Sequence, residues 1–555
     1  MNIGRRHFIG TTAVAGAALL AARTAAFHLA PQAADAHIEV LLNEPIGRIA
    51  PEIYSHFAEH LGGVIYDGIW VGEDSKVPNI GGIRKQLVEY LRKIKASVIR
   101  WPGGCFADQY DWRDGIGPRS KRPKRTNFWA GSREWPSEAS PRGVQRYDNN
   151  HFGTIEFARF CKLSGAQPYF AANLRSLRPH DFWQWVEYCN SPAGETTLAE
   201  QRETDGERDP LNVRFWGVGN ESWGCGGNFT PEEYAAEFRR FATWVPGYDV
   251  KLAFVGSGPN GGDLDWTRRF FAKVAERGQL NQLWGWGLHH YSWNASGGRT
   301  NDWFDGKGDA LKFDDEQYYE ILHEADKMES LITSHWQVMG ELDRQHRVKL
   351  VVDEWGSWYR PGTEPFNMAL IGQQNTMRDA VLAGLTLDTF HRHADKVGMA
   401  NIAQLINCLQ SLFLAHEDKF CVTPTCHVFE MYAAHQGAQA VRTVVSASSL
   451  TYSRNGKPTM LYGLNGSASV NGKQVTLTVT NPHLSEPRET EISLRGASVK
   501  AIKAVTLSSS DAHNCNTFEN PRGVEPKEAN VPVRGAIIAH RFPPASVTKL
   551  ELTLA

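Results

Sequence analysis

Two stretches of the chain, VRFWGVGNESWG (213–224) and VKLVVDEWGSWY (348–359), place a glutamate where an apolar run stops: Glu221 in the first, Glu354 in the second. Each run is short and rich in β-branched or aromatic side chains, the pattern of a strand buried on both faces. Two facing carboxylates are the minimal equipment for cutting a glycosidic bond. One protonates the leaving oxygen, and the other attacks the anomeric carbon or activates a water. A lone loop glutamate is normally a salt-bridge partner. Two of them, one in Gly-Asn-Glu and one in Asp-Glu-Trp at matching strand ends, read as chemistry instead. The pair can meet only if both strand ends reach one face, as in a barrel of parallel strands. Their environments must differ, so that one stays protonated near neutral pH and the other ionised. Asn220 offers an amide to a sugar 2-hydroxyl, Gly219 permits close backbone approach, and Trp355 can wall Glu354 from water.

Other chemistries lack their residues. His289-His290 does not have the helical HExxH spacing of a zinc hydrolase, and no GxGxxG or P-loop opens a helix after a strand. The eight cysteines form no paired CxxC sites and are expected to be mostly free and buried. No metal and no cofactor is expected. A formal net charge of −2 gives no electrostatic reason to expect nucleic acid or an anionic membrane as partner. Tryptophan is abundant, and Trp101, Trp112, Trp223, Trp293 and Trp358 lie near polar motif residues. Indole faces stack on sugar rings, although tryptophans also fill cores.

The elements that must position the two glutamates follow from the texture of the chain. From 49 to 436, short apolar runs alternate with amphipathic stretches. Helices are expected over 83–95, 152–164, 231–242, 264–277, 318–344 and 374–393. Strands are expected over 97–100, 167–172, 213–218, 251–255, 283–291 and 349–352. This alternation predicts an α/β fold, a (β/α)8 TIM barrel. Residues 437–555 are alternating and rich in Val, Thr and Ser, which predicts a C-terminal all-β sandwich or jelly roll. The strand at 37–48 precedes the barrel and is expected to join that sandwich. Residues 1–36 carry Arg5-Arg6, an apolar stretch from Gly10 to Ala22 and Ala-x-Ala-like sites, reading as a twin-arginine export signal. The apolar stretch is too short to span a bilayer. A periplasmic or secreted protein, with no membrane contact once processed, is the expectation. The basic run Lys121-Arg122-Pro123-Lys124-Arg125 reads as a solvated loop.

At this point the chain resembles the glycoside hydrolase family 51 α-L-arabinofuranosidases, well over about residues 38–440 and weakly beyond. The motifs are IYSHFAEHLGGVIYDGIW (53–70), RWPGGCFADQYDWRDGIGP (100–118), WGVGNESWGCGG (216–227), LHHYSW (288–293), VVDEWGSWY (351–359) and NIAQLINCLQSLF (401–413). The resemblance implies Glu221 as acid/base and Glu354 as nucleophile. It implies Glu59, Cys105, Asn220, Tyr291 and Gln410 as sugar contacts and Trp358 as a subsite wall. Arg100 stands where it could hold Glu354 ionised, and His289 where it could orient the nucleophile. The implied activity is retaining, exo-acting release of terminal α-L-arabinofuranose from arabinose-containing oligo- and polysaccharides. A related furanosidase or endo-glucanase of the same family, and a sugar-binding protein without catalysis, are the alternatives. The resemblance also implies a homo-oligomer, for which the sequence shows no interface signature. Two segments depart from the family pattern. Ala172-Asn173-Leu174-Arg175-Ser176-Leu177 replaces a run of small residues, and 119–149 is long, with Trp129 and Trp135 inside it. Both are expected to narrow the leaving-group side, favouring short substrates over branched polymers.

Overall fold

The computed structural model describes residues 34–131, 147–294, 307–366, 370–533 and 537–555. The expected export signal and Trp135 lie outside the described residues, save that Ala36 opens the first strand.

Eight parallel strands close into a barrel in chain order. They are β1 (Ser55–Phe57), β2 (Val98–Trp101), β3 (Gln167–Ala172), β4 (Phe215–Val218), β5 (Ala253–Gly256), β6 (Leu283–Ser292), β7 (Lys349–Ser357) and β8 (Val397–Ala403). Their cores are apolar because both faces are covered. Val98, Tyr169, Phe215, Val255, Val351 and Met399 fill the inside, while outward residues pack on the surrounding helices. The helices start where capping chemistry allows. Thr230 caps Pro231–Ala242 by accepting from the Glu233 amide, with proline in the first turn. Asp314 caps the 26-residue helix Asp315–Gly340 in the same way through Gln317. The two longest barrel strands, β6 and β7, pair along most of their length. A register shift after Leu288 sets His289 opposite Glu354.

The C-terminal region forms a nine-stranded sheet that curls around its own apolar core. The strand Ala36–Arg48 lies inside this sheet, antiparallel to Gln439–Ala447 and parallel to Arg488–Arg495. The helix Met377–Arg392 sits between sheet and barrel and is buried around almost its whole circumference. Its polar residues must therefore find partners inside the protein. Asp388 accepts from Ser467 Oγ (2.7 Å), Thr478 Oγ1 (2.6 Å) and Tyr432 OH (3.1 Å), and His391 meets Ser467 and Tyr54.

Burial outweighs those hydrogen bonds and pushes the Asp388 carboxyl up to about 6, from an ordinary value of 3.8. A carboxyl raised on folding stabilises fully below its unfolded value, and that contribution is lost as pH climbs through the folded value. Asp388→Asn removes the charge and keeps the shape. Chemical unfolding between pH 4 and 7 should show a flatter profile for the variant, by on the order of 3 kcal/mol across that window. Parallel profiles for variant and parent would show that Asp388 does not titrate there.

Candidate active site

The carboxylates sit at the C-terminal ends of β4 and β7, on the face where parallel strands deliver their loops. Glu221 lies just past β4 at a positive φ of 41°. Its carbonyl accepts the amides of Gly224 (2.7 Å) and Gly226 (3.2 Å), which turns the loop tightly. Glu354, near the end of β7, is 6% exposed. His289 of β6 lies between the two, with Nδ1 3.0 Å from Glu221 Oε1 and 3.7 Å from Glu354 Oε2. One ligating atom from each of the three lies within 4.8 Å of the others.

Arg100, at the end of β2, organises this face. Nη1 donates to Glu354 Oε1 (2.8 Å), Nη2 donates to Asn220 Oδ1 (2.6 Å), and Nε lies 3.6 Å from Asp353 Oδ2. Its plane stacks over Phe57 at 4.6 Å. Asp353 is fixed in turn by Tyr169 OH (3.0 Å) and Asn401 Nδ2 (2.7 Å). Tyr291 OH donates to Glu354 Oε2 at 2.6 Å. Burial alone would raise the Glu354 carboxyl. The charges of His289 and Arg100 and the bond from Tyr291 outweigh it and hold the carboxyl below its ordinary value. Burial pushes the His289 imidazole down, but Glu354 and Glu221 overcome this and hold it above its usual range.

A third carboxylate lies close enough to Glu354 to feel its charge. Glu59 accepts from the amides of Gly104 and Phe106 (both 3.1 Å) and from Gln404 Nε2 (3.2 Å). Burial, reinforced by the charge of Glu354, carries its carboxyl up to about 7 despite those bonds. Gly104 suits the close approach here, since a Cβ would come 3.0 Å from Glu354 Oε1. A cavity of about 960 Å³ is lined by Glu221 and by His289 and Tyr291, the two side chains that face Glu354. Tyr291, Trp223, Trp293 and Trp358 line it, whereas Trp101 and Trp112 are core residues.

Most of the residues expected at the site are brought together, with one difference. Cys105, expected beside the sugar, lines the cavity as a disulfide with Cys225 rather than as a thiol. The other six cysteines are free and five of them are buried. Gln410 is fully buried, and its amide serves Ser357 N, Asp379 O and Thr425 Oγ1. The amide from that motif which meets a site carboxylate is Gln404. The departures also resolve. Leu174 is core, and Arg175 is clamped on the carbonyls of Asp108 (3.2 Å) and Cys225 (3.3 Å). Of the described part of 119–149, Phe128 and Trp129 line the cavity. The basic run is not simply solvated, because Arg122 pairs with Glu156 and Arg125 with Asp114.

Sequence reasoning did not single out Asp353, Asp108, Gln404 or Cys225 as functional. Asp108 accepts from the amides of Leu174 (2.9 Å), Arg175 (3.3 Å) and Asn220 (3.1 Å), pinning the backbone beside Glu221. Asp353 did carry a signal, since alternation along β7 puts it on the inward face with Val351, beside Tyr169.

Two family models match the chain: an α-L-arabinofuranosidase 1 domain over residues 90–307 and an α-L-arabinofuranosidase C-terminal domain over 353–546. An intracellular exo-α-L-arabinofuranosidase of Bacteroides ovatus is 36% identical over 477 residues, 85% of this chain and 87% of that protein. Among solved structures, the GH51 arabinofuranosidase of Xanthomonas axonopodis pv. citri superposes with a TM-score of 0.85 at 34% identity, covering 94% of this chain and all of that one. The α-L-arabinofuranosidase of Thermotoga maritima in complex with arabinose gives 0.79 at 27% identity, with coverage of 94% and 100%.

Arg100→Lys keeps a cation but loses the fork that holds Glu354 and Asn220 together. Catalytic efficiency should fall by roughly 100-fold. Glu354 would lose part of what depresses its pKa, so the acid limb of the kcat/KM profile should move to higher pH. A limb that stays in place would show that Arg100 does not set the ionisation of Glu354.

Proposed function

Because the chain belongs to the GH51 family of α-L-arabinofuranosidases, we propose that it releases terminal α-L-arabinofuranosyl residues by double displacement, with Glu354 as nucleophile and Glu221 as acid/base. The observation that carries this reading is the short gap between the two carboxylates, spanned by His289. Retaining enzymes need about 5–5.5 Å between the two carboxyl groups, and inverting ones need a wider gap to admit a water. The asymmetry of support agrees with the roles. Glu354 receives Arg100 and Tyr291, as suits an ionised nucleophile; the Glu221 side chain is three times as exposed (22% against 7%) and faces the cavity, as suits a group exchanging protons with leaving group and water.

In the proposed sequence, Glu354 attacks the anomeric carbon while Glu221 protonates the departing oxygen. Water then enters on the vacated side, and Glu221 takes its proton as the glycosyl–Glu354 bond breaks. Asn220, oriented by Arg100, is placed for the sugar 2-hydroxyl. Glu59, Gln404 and Arg100 close the space behind Glu354 with buried groups, which favours an exo mode in which a single terminal residue occupies that end. The opposite side, with Phe128, Trp129 and Trp223, is left for the leaving group.

Glu354→Ala should abolish turnover even on substrates with good leaving groups. Glu221→Ala should keep glycosylation of activated aryl arabinofuranosides, and azide should rescue it to a glycosyl azide of retained configuration. Loss of equal depth in both variants, with no rescue, would contradict the roles. Trp129→Ala should raise KM for arabino-oligosaccharides while aryl substrates change by less than about twofold. An equal loss on both would place Trp129 at the arabinose end.

A further inference from the structure

Glu221 is less well held than the carboxylate it works with. Its backbone sits in the left-handed region, which costs a non-glycine residue energy and persists only where the surroundings enforce it. Among the described residues its side chain has one close polar partner, His289, with the sulfur of Cys225 3.7 Å from Oε2. The loop after it bonds largely to itself, through Gly224 and Gly226 to the Glu221 carbonyl and Phe229 to Ser222. Two residues fasten the loop to the rest of the barrel face: Ser222, whose Oγ lies 2.8 Å from Ser257 Oγ, and Cys225. Cys225 is joined covalently to Cys105, 120 residues earlier, and its carbonyl accepts from Arg175. Cys105 directly follows Gly104, whose amide holds Glu59. The bond therefore links the loop carrying the proton-donor position to the loop that walls the nucleophile end, and both sulfurs lie on the cavity.

We propose that the Cys105–Cys225 disulfide is a positioning element for proton donation, holding the Glu221 carboxyl against His289 and toward the leaving oxygen. The inference rests on the acid/base reading of Glu221. With the bond open, the loop keeps its internal turn but loses its covalent tie to the loop that follows β2. Glu354 keeps Arg100 and Tyr291. The loss falls on protonation of the leaving group, and nucleophilic attack is spared by comparison.

The test is a series of aryl arabinofuranosides whose leaving-group phenols span a wide pKa range, assayed with the parent, Cys225→Ala, Glu221→Ala and the variant combining both. Cys225→Ala should lose at least roughly tenfold more kcat/KM on phenyl than on dinitrophenyl substrate, steepening the dependence on leaving-group pKa. Adding Cys225→Ala to Glu221→Ala should steepen it no further. Reducing the parent with dithiothreitol should reproduce the steepening, and reoxidation should reverse it, which covers the case of a variant that folds poorly. A uniform loss across the series, or no loss after thiol counting confirms reduction, overturns the proposal. If Glu221→Ala itself shows no steepening, the acid/base assignment falls; if it steepens and Cys225→Ala does not, only the role of the disulfide falls.

Discussion

A single buried guanidinium holds the catalytic face together. Arg100 is 1% exposed and touches Asp353, Glu354 and Asn220 at once. Burying a lone cation would be prohibitive, and so would burying Asp353 and Glu354 without one. Each makes the others tolerable, and the fork geometry allows one side chain to satisfy groups from three directions. Because Arg100 lies near the end of β2, Asn220 follows β4 and the two carboxylates lie on β7, the interaction exists only when the barrel is closed. Catalytic geometry and fold completion are thus one constraint.

The second layer of that constraint concerns protons. Three carboxylates, Glu59, Asp353 and Glu354, crowd around one arginine and one imidazole. The crowding is relieved unevenly. Glu354 is driven below its ordinary range, and burial together with the charge of Glu354 lifts Glu59 to about 7. With its carboxyl raised to about 7, Glu59 repels the Glu354 carboxylate less near neutral pH than an ordinary glutamate would. His289, held protonated more readily than usual by its two glutamate neighbours, carries part of the remaining charge.

Much of this could be read in the chain. Gln167–Ala172 and Pro231–Ala242 fall where periodicity and capping put them, and the two glutamates stand at strand ends because an apolar run and its polar end are local features. The helix Pro179–Asn190 was not anticipated, since FWQWVEYC is aromatic and apolar enough to hide its period, and β8, VGMANIA, is interrupted by glycine and asparagine. Long-range pairings were not legible. Nothing near Cys105 or Cys225 announces a partner 120 residues away, and the cysteine spacing points to free thiols. Gln410 and Gln404 stand six positions apart in one loop, and only the chain path decides which amide turns toward Glu59.

In the proposed mechanism, Arg100 and the narrow gap between Glu221 and Glu354 make Glu354 a nucleophile rather than a base for water. Proton NMR of the first-formed sugar during hydrolysis of an aryl α-L-arabinofuranoside tests it most directly, recorded before the anomers equilibrate. The account predicts α-L-arabinofuranose, with configuration retained. Initial release of the β anomer would contradict it.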